Sequence, residues 1–487
     1  EWQLALELLQ RMPELGATAD VISYNAAISA CEKAGQWQMA VALLARMPKV
    51  GLNPNVISYN AAICACERGL QWESVLDLTR QMSAARVAMN TATHTAALMT
   101  FSSAGRWQEA LSLGPGGSPR AADLGRSCGT LLMECEQRDL LAVEVSLTDR
   151  LSAAAREGRE LPADLALVLD LSARLRRREQ QPQELQGLFQ ALRRPRPQGG
   201  GRTWASLPYQ RELQLLRHVL TEAPAGSAAA AAAAVDDFGA ELGEAGSWAK
   251  FAGGSKAATL LAAVRGARLG DRVLEIGTYC GNSALRLAAA LPGVRVTTLE
   301  LDPLLVAIAR SLLAFAGLAA SVDVWTGPSK LLLPRLRPLR FSAIFVDRWG
   351  SQYDEDLALI QEHELLQQAG GVLVADNVLT TAAASFLWQV AHPPSNSFEG
   401  AFTSRMLAVR EVAQSSEEDW MSVSVANFQA DVFRQAPPIP PELLALQAAS
   451  ERLRERVIRS EAARLEKGAF TEHAKATLSG AGIAPLE

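Results

Sequence analysis

From Val273 to Ser283 the chain reads Val-Leu-Glu-Ile-Gly-Thr-Tyr-Cys-Gly-Asn-Ser. A short apolar run that stops at Gly277, turns through Gly281 and passes into an apolar-periodic stretch predicts a buried strand, a tight turn and an amphipathic helix. That order commits the surrounding sequence to a doubly wound α/β sheet, with a nucleotide-type cofactor at the carboxyl end of the strand. A second apolar strand, Val294 to Leu299, closes on Glu300. A sheet of this kind places there the carboxylate that holds a ribose.

The glycines follow the pattern Glu275-x-Gly277-x-x-x-Gly281. This is not the G-x-G-x-x-G that cradles a pyrophosphate, so a cofactor without phosphates is expected. S-adenosylmethionine meets that description.

With 487 residues, 49% of them hydrophobic, the chain can bury more than one core. Length alone predicts about three domains of roughly 150 residues. The net charge is −5 and no apolar run nears the length of a membrane span, the Ala228 to Ala234 tract being too short. A soluble globular protein with no membrane partner is expected. Six cysteines show no C-x-x-C spacing and mostly occupy apolar positions of helical patterns, which predicts buried thiols in a reducing compartment. The five histidines form no H-E-x-x-H pattern, so a structural zinc site is not expected.

Trp2, Trp37, Trp72 and Trp107 recur every 35 residues. Val21-Ile-Ser-Tyr-Asn-Ala-Ala-Ile28 is nearly copied as Val56-Ile-Ser-Tyr-Asn-Ala-Ala-Ile63 and decays to Thr91-Ala-Thr-His-Thr-Ala-Ala-Leu98. Each unit reads as two helices, about Ser23 to Lys33 and Gln38 to Met47, around a turn at Gly35 and before a break at Gly51/Pro54. Stacked helical hairpins of this kind form an all-α solenoid. The chain opens at Glu1 inside a repeat, so further sequence is expected upstream.

The period, the Tyr-Asn near the start of the first helix and the Cys-Glu-Lys-Ala-Gly turn resemble pentatricopeptide repeats; tetratricopeptide repeats have a different period and Trp placement. The resemblance implies single-stranded RNA as a partner, one base being read by a side chain of the first helix together with the last residue of the repeat. Carried over, the pairs are Asn25 with Asn55 and Asn60 with Asn90, a combination the family associates with pyrimidines. The same asparagines equally suit helix capping, in an array that binds protein. Acidic and basic residues are balanced over the array, whereas RNA phosphates favour a basic excess.

Five collinear blocks carry a second resemblance. Glu-Ile-Gly-Thr-Tyr-Cys-Gly-Asn-Ser (275–283), Leu-Glu-Leu-Asp-Pro (299–303), Phe-Ala-Gly-Leu (315–318), Phe-Val-Asp-Arg-Trp (345–349) and Leu-Val-Ala-Asp-Asn-Val (373–378) together resemble a catechol O-methyltransferase. The likeness runs from about Val235, through Ser247-Trp-Ala249 and Lys256, to about Phe428. It implies a Rossmann-like domain that transfers a methyl group from S-adenosylmethionine to a hydroxyl of a catechol-like small molecule, with magnesium. Cofactor contacts fall by resemblance on Gly277, Tyr279, Ser283, Glu300, Leu301, Ser329, Asp347 and Trp349. Trp248, Trp349 and Asn377 would line the acceptor site; Lys256, which matches a family lysine close to the site, or Lys250 nearby could supply the general base, or a metal-bound hydroxyl could lose its proton to water.

Asp347, Asp376 and Asn377 lie just after two apolar strands, Ala343 to Val346 and Val372 to Ala375, where an open sheet forms its ligand crevice. Two carboxylates and an amide oxygen are hard ligands suited to Mg2+. Two positions depart from the family. Gly350 stands where the family has a lysine, and Ala408 falls near an expected glutamate that grips the second catechol hydroxyl.

The expected organisation is therefore multidomain: pentatricopeptide repeats over 1–113, degenerate helical repeats over 114–195, a linker over 196–234, an α/β methyltransferase domain over 235–430 and a helical extension over 431–487. The competing reading is a pentatricopeptide RNA-binding protein whose methyltransferase domain is divergent, either RNA-directed or non-catalytic.

Overall fold

The computed structural model describes residues 2–12, 14–114, 121–157, 161–176, 182–193, 208–244, 253–348, 352–392, 402–409, 418–427, 438–459 and 463–485. Internal contacts divide the chain into two compact units, Glu1–Leu161 and Pro162–Glu487.

The first unit is all helical. Its repeats are the helix pairs Val21–Lys33 with Trp37–Arg46, Val56–Arg68 with Trp72–Ala84, and Thr91–Ser103 with Trp107–Leu113. Asp20, Asn55 and Asn90 begin the three first helices, and their side chains accept from the backbone N–H of Ser23, Ser58 and Thr93 at 2.8, 3.1 and 2.8 Å. Such caps satisfy donors that a helix start leaves without partners. Each first helix packs on that of the next repeat, burying Tyr24, Ala27, Ile28 and Cys31 in one and Tyr59, Ala62, Ile63 and Cys66 in another. The recurring tryptophan also serves the stack. A Cβ at Gly69 would fall 2.6 Å from the Trp37 ring, and the Arg106 guanidinium lies 4.0 Å from the centre of the Trp72 ring. The helices Ala121–Gln137 and Leu141–Glu157 complete the unit.

The second unit is built on a seven-stranded sheet. Its strands are β1 (Arg272–Ile276), β2 (Arg295–Glu300), β3 (Val322–Thr326), β4 (Ala343–Val346), β5 (Ala369–Ala375), β6 (Phe402–Val409) and β7 (Asp419–Asn427). Their order is β3-β2-β1-β4-β5-β7-β6. The five strands from β3 to β5 are parallel, while β7 runs antiparallel to both β5 and β6. Every residue of β4 is buried, as are Val273 to Ile276 of β1. Continuous apolar runs of this kind suit parallel strands covered on both faces. The order changes direction about β1, so the carboxyl ends of β1, β2, β4 and β5 open onto one crevice.

Two stretches differ from the sequence-based boundaries. Within 196–234, expected to be a linker, the helix Gln210–Glu222 and the start of Ala228–Glu244 are folded. Leu213, Leu216, Val219 and Leu220 bury one face of the former, and both helices belong to the sheet unit. The Gly/Pro/Arg composition just upstream drew the linker too far. Within 114–195, the helices Leu165–Arg176 and Pro182–Arg193 also fall in the sheet unit, the first packing on the helix Pro303–Phe315. At the other end, Pro441–Arg459 and Ala463–Gly480 form a helical pair, and the first of them packs on the helix Ala384–Ala391. Among the described residues no helix is long and apolar enough to cross a membrane.

Candidate active site

The turn after β1 shapes one side of the crevice. Gly277 has φ +102°, and a Cβ there would meet the Asp347 carbonyl oxygen at 2.0 Å, so only glycine fits. Gly281, φ +87°, brings the helix Asn282–Ala290 close to Ala309. Between them Tyr279 holds φ +50°, an uncommon conformation for a residue with a side chain. Two hydrogen bonds fix it. Its N–H donates to Glu300 Oε2 at 2.9 Å, and its phenol donates to Glu212 Oε1 at 2.6 Å.

Glu300, at the end of β2, also accepts from the Asp302 N–H through Oε1 at 2.9 Å. Burial pushes its carboxyl up to about 7, against the pull of these backbone donors. The structure thus brings Gly277, Tyr279 and Glu300 together as one bonded turn. Ser283 is buried beside Glu275, a fully buried residue of β1 whose carboxyl its hydroxyl pulls downward in pKa against the effect of burial. Ser329 is buried after β3 and donates to Asp356 Oδ1 at 2.7 Å, while Arg348 pairs with the same carboxylate at 3.0 Å. Leu301 is 44% exposed beside Glu300. Trp248, Trp349 and Gly350 lie outside the described residues.

The other side of the crevice is acidic and holds a lysine. Asp347 and Asp376 follow β4 and β5, whose last residues Val346 and Ala375 are paired. Parallel pairing of neighbouring strands therefore delivers both carboxylates to one place. Asn377, φ +56°, donates through Nδ2 to Asp347 Oδ1 at 3.0 Å. Its Oδ1 accepts from Lys256 Nζ at 2.8 Å. The same ammonium lies 3.0 Å from Asp376 Oδ1 and 3.8 Å from Asp419 Oδ2, and Lys256 is fully buried. Burial first, then the like charge of Asp347, pushes Asp376 up to about 8, with Lys256 acting the other way. Asp347 joins the two sides: its carbonyl faces Gly277 and its carboxylate faces Asn377.

Several residues here escaped sequence reasoning. Asp419 opens β7 and accepts from Thr380 N and Oγ1 at 3.1 and 2.7 Å. Tyr353 is buried with its phenol oxygen 2.8 Å from the carbonyls of both Arg348 and Asp376. The alternation of Asp419-Trp-Met-Ser-Val-Ser-Val was the available signal for a strand opening on a carboxylate. Ala408 stands opposite Trp420 in the β6–β7 ladder, next to the Val409–Asp419 pair.

The oxygens of Asp376 and Asn377 already hold one cation, the Lys256 ammonium, and so fit a hard divalent ion chemically. Among the described residues no three His, Cys, Asp or Glu side chains form a metal set, so the amide oxygen of Asn377 is needed to complete one. All six cysteines are free; burial pushes Cys66 up to about 11 and Cys128 up to about 12.

The O-methyltransferase family matches residues 252–386, and the PPR repeat family matches residues 19–68. Catechol O-methyltransferase of Mus musculus is 35% identical over 213 residues, which cover 43% of this chain and 77% of that protein. The chain belongs to the catechol O-methyltransferase family. The Bos taurus catechol O-methyltransferase is 36% identical over 182 residues, 36% of this chain and 65% of that protein. A solved O-methyltransferase from Bacillus cereus, in complex with SAH, is 25% identical and covers 38% of this chain and 87% of its own, with a TM-score of 0.32. As a member of the catechol O-methyltransferase family the chain is an S-adenosylmethionine-dependent O-methyltransferase, carrying pentatricopeptide repeats at its amino-terminal end.

Proposed function

We propose that the second unit transfers the methyl group of S-adenosylmethionine to one hydroxyl of a catechol-like small molecule in a magnesium-dependent reaction. The observation that carries this reading is the double contact of Asp347, with the Gly277 turn on one side and the Asn377 amide on the other. It supports a reading in which the cofactor and a hard-oxygen metal set would meet at this residue.

In this reading Gly277, Tyr279 and Ser283 accommodate the methionine end, Glu300 holds the ribose hydroxyls, and Leu301, Ser329 and Trp349 surround the adenine, with Asp347 adjoining both ligands. Asp347, Asp376 and Asn377 would hold Mg2+. When bound, that ion would orient the acceptor oxygens and lower the pKa of the hydroxyl. By the resemblance, Trp248, Trp349 and Asn377 would line the acceptor. Lys256, once it has given up its own proton to solvent, would take the hydroxyl proton, and S-adenosylmethionine, when bound, would supply the methyl group to the acceptor oxygen. Such a displacement asks the protein mainly for alignment. Methyl transfer to a panel of simple catechols, with and without magnesium, tests the proposal. Product formed only with magnesium supports it, and no product from any catechol in a protein that binds the cofactor overturns the acceptor class.

For the repeat array the proposed partner is single-stranded RNA, supported by the juxtaposition of the expected pairs. Asn25 Nδ2 lies 3.4 Å from Asn55 Oδ1, and the Thr93 hydroxyl donates within reach of both Asn60 and Asn90, at 3.2 and 2.8 Å. Gly350 and Ala408 favour the second reading, an RNA-directed or non-catalytic protein with a divergent methyltransferase unit. Binding assays with S-adenosylmethionine and with single-stranded RNA separate the two.

A further inference from the structure

The loop from Asp376 to Ala383, which leads into the helix Ala384–Ala391, carries two left-handed residues with side chains, Asn377 at φ +56° and Ala382 at φ +44°. Each such residue costs on the order of a kilocalorie and persists only where its surroundings over-determine it. Part of that determination comes from within the sheet unit's core. Thr381 Oγ1 donates to the Asn377 carbonyl at 2.6 Å, and Thr380 is bonded to Asp419.

Backbone bonds within the loop and to Trp420 add to this, and two further bonds come from the carboxyl-terminal helical pair. Ser450 Oγ donates to the Thr381 carbonyl at 2.6 Å, and Gln447 Oε1 accepts from the Ser385 N–H at 3.0 Å. Both belong to Pro441–Arg459, which Leu443, Leu446 and Leu453 bury by their own apolar face. The second helix reaches the opposite lip of the same site. Lys475 Nζ lies 2.8 Å from Glu418 Oε1, which also accepts from Trp420 Nε1 at 2.9 Å, and Glu418 immediately precedes Asp419. Met406 of β6 further pairs with Pro485.

We propose that the helix Pro441–Arg459 is a positioning element for the acceptor and metal side of the site, acting through Ser450 and Gln447 on the loop that presents Asn377. This rests on the reading of Asp347, Asp376 and Asn377 as the metal set. The helix docks by its leucines, so removing two polar groups leaves it in place and loosens the loop. The effect is directional. The loop bears on Asp376, Asn377 and Asp419, whereas the Gly277 turn and Glu300 are held by bonds of their own.

The test is the Ser450→Ala/Gln447→Ala double variant of the full chain, with Ser450→Thr as the conservative control and Asp376→Ala as the reference. Mn2+ affinity is read by electron paramagnetic resonance, cofactor affinity by calorimetry, and KM and kcat with a catechol acceptor. The double variant is expected to weaken Mn2+ binding and raise the acceptor KM, each on the order of tenfold for two lost hydrogen bonds. Cofactor affinity stays unchanged and Ser450→Thr restores the Ser450 share. Unchanged Mn2+ affinity and acceptor KM overturn the proposal, and so does an equal loss of cofactor affinity, which would mark a merely structural role. If Asp376→Ala leaves Mn2+ binding intact, the metal reading itself falls and takes this proposal with it.

Discussion

Lys256 and Asn377 lie 121 residues apart in sequence, yet the lysine Nζ donates to the asparagine Oδ1 at 2.8 Å in the interior of the methyltransferase unit. Among the described residues the bond joins a lysine amine to the same asparagine that faces Asp347. With Gly350 in place of the family's lysine, Lys256 is the proposed base. Lys256→Ala is expected to lower kcat by about 10² to 10⁴-fold, the range for a lost general base. Cofactor affinity measured by calorimetry should hold, and Gly350→Lys should add little to the wild-type rate. A rise in rate from Gly350→Lys, with Lys256→Ala neutral, would move the base role away from Lys256.

Asp376 is the buried member of the metal set, 2% exposed and 3.0 Å from Lys256. Chelator is expected to abolish methyl transfer and added magnesium to restore it. Asp376→Ala should remove turnover and Mn2+ binding while leaving S-adenosylmethionine binding largely intact. Full activity in the presence of excess chelator would refute the metal requirement.

Glu300 has both oxygens fixed by backbone donors, from Tyr279 and Asp302, each at 2.9 Å. A carboxylate oxygen can accept more than one hydrogen bond, so the ribose hydroxyls can still be met. Glu300→Ala should cost about 1.5–3 kcal/mol of cofactor binding, the scale for hydrogen bonds to a charged group. Calorimetry showing the same affinity in the variant would remove Glu300 from the site.

How far the sequence exposed this site follows from which contacts are local. The runs ending at Ile276, Val346 and Ala375 are recognisable as strands by themselves, and parallel neighbours in one sheet must bring Gly277, Asp347 and Asp376 to the same edge. Asp419 was not legible, because it reaches Lys256 only through the antiparallel return of β7 beside β5. Nor was Glu212, whose helix follows a Gly/Pro/Arg-rich stretch that masked the Leu213, Leu216 and Leu220 spacing. The array was legible for the opposite reason: its contacts join adjacent repeats, so periodicity alone defines them.

In the array, Asn25 and Asn60 are better probes than Asn55 and Asn90, which begin helices and cap them. Replacing a cap costs about 0.5–2 kcal/mol of stability and would confound any binding result. The Asn25→Ala/Asn60→Ala variant should therefore keep its melting temperature within a few degrees and bind a pyrimidine-rich single-stranded RNA several-fold more weakly. Equal binding by fluorescence anisotropy, or no binding by either protein, would leave the array as a protein-binding surface.

Glu275 links the cofactor turn to stability. It is fully buried in β1, and its carboxylate accepts from the Thr298 hydroxyl. Burial pushes it from 4.5 up to about 7; the hydrogen bonds of Ser283 and Thr298 pull the other way, and the neighbouring Glu300 adds to the rise. Because the folded value lies above the unfolded one, the protonated group favours the folded state. Its contribution is fully present below about pH 4.5 and is lost as pH rises through about 7. The shift corresponds to roughly 3 kcal/mol. The cofactor-free protein should thus melt at a higher temperature at pH 5 than at pH 8, and Glu275→Gln, which stays neutral and keeps an acceptor for Thr298, should flatten that slope. Melting curves of the two proteins across this range decide the matter: an unchanged slope in Glu275→Gln would mean that other buried carboxyls, Glu300 and Asp376 first among them, set the pH dependence.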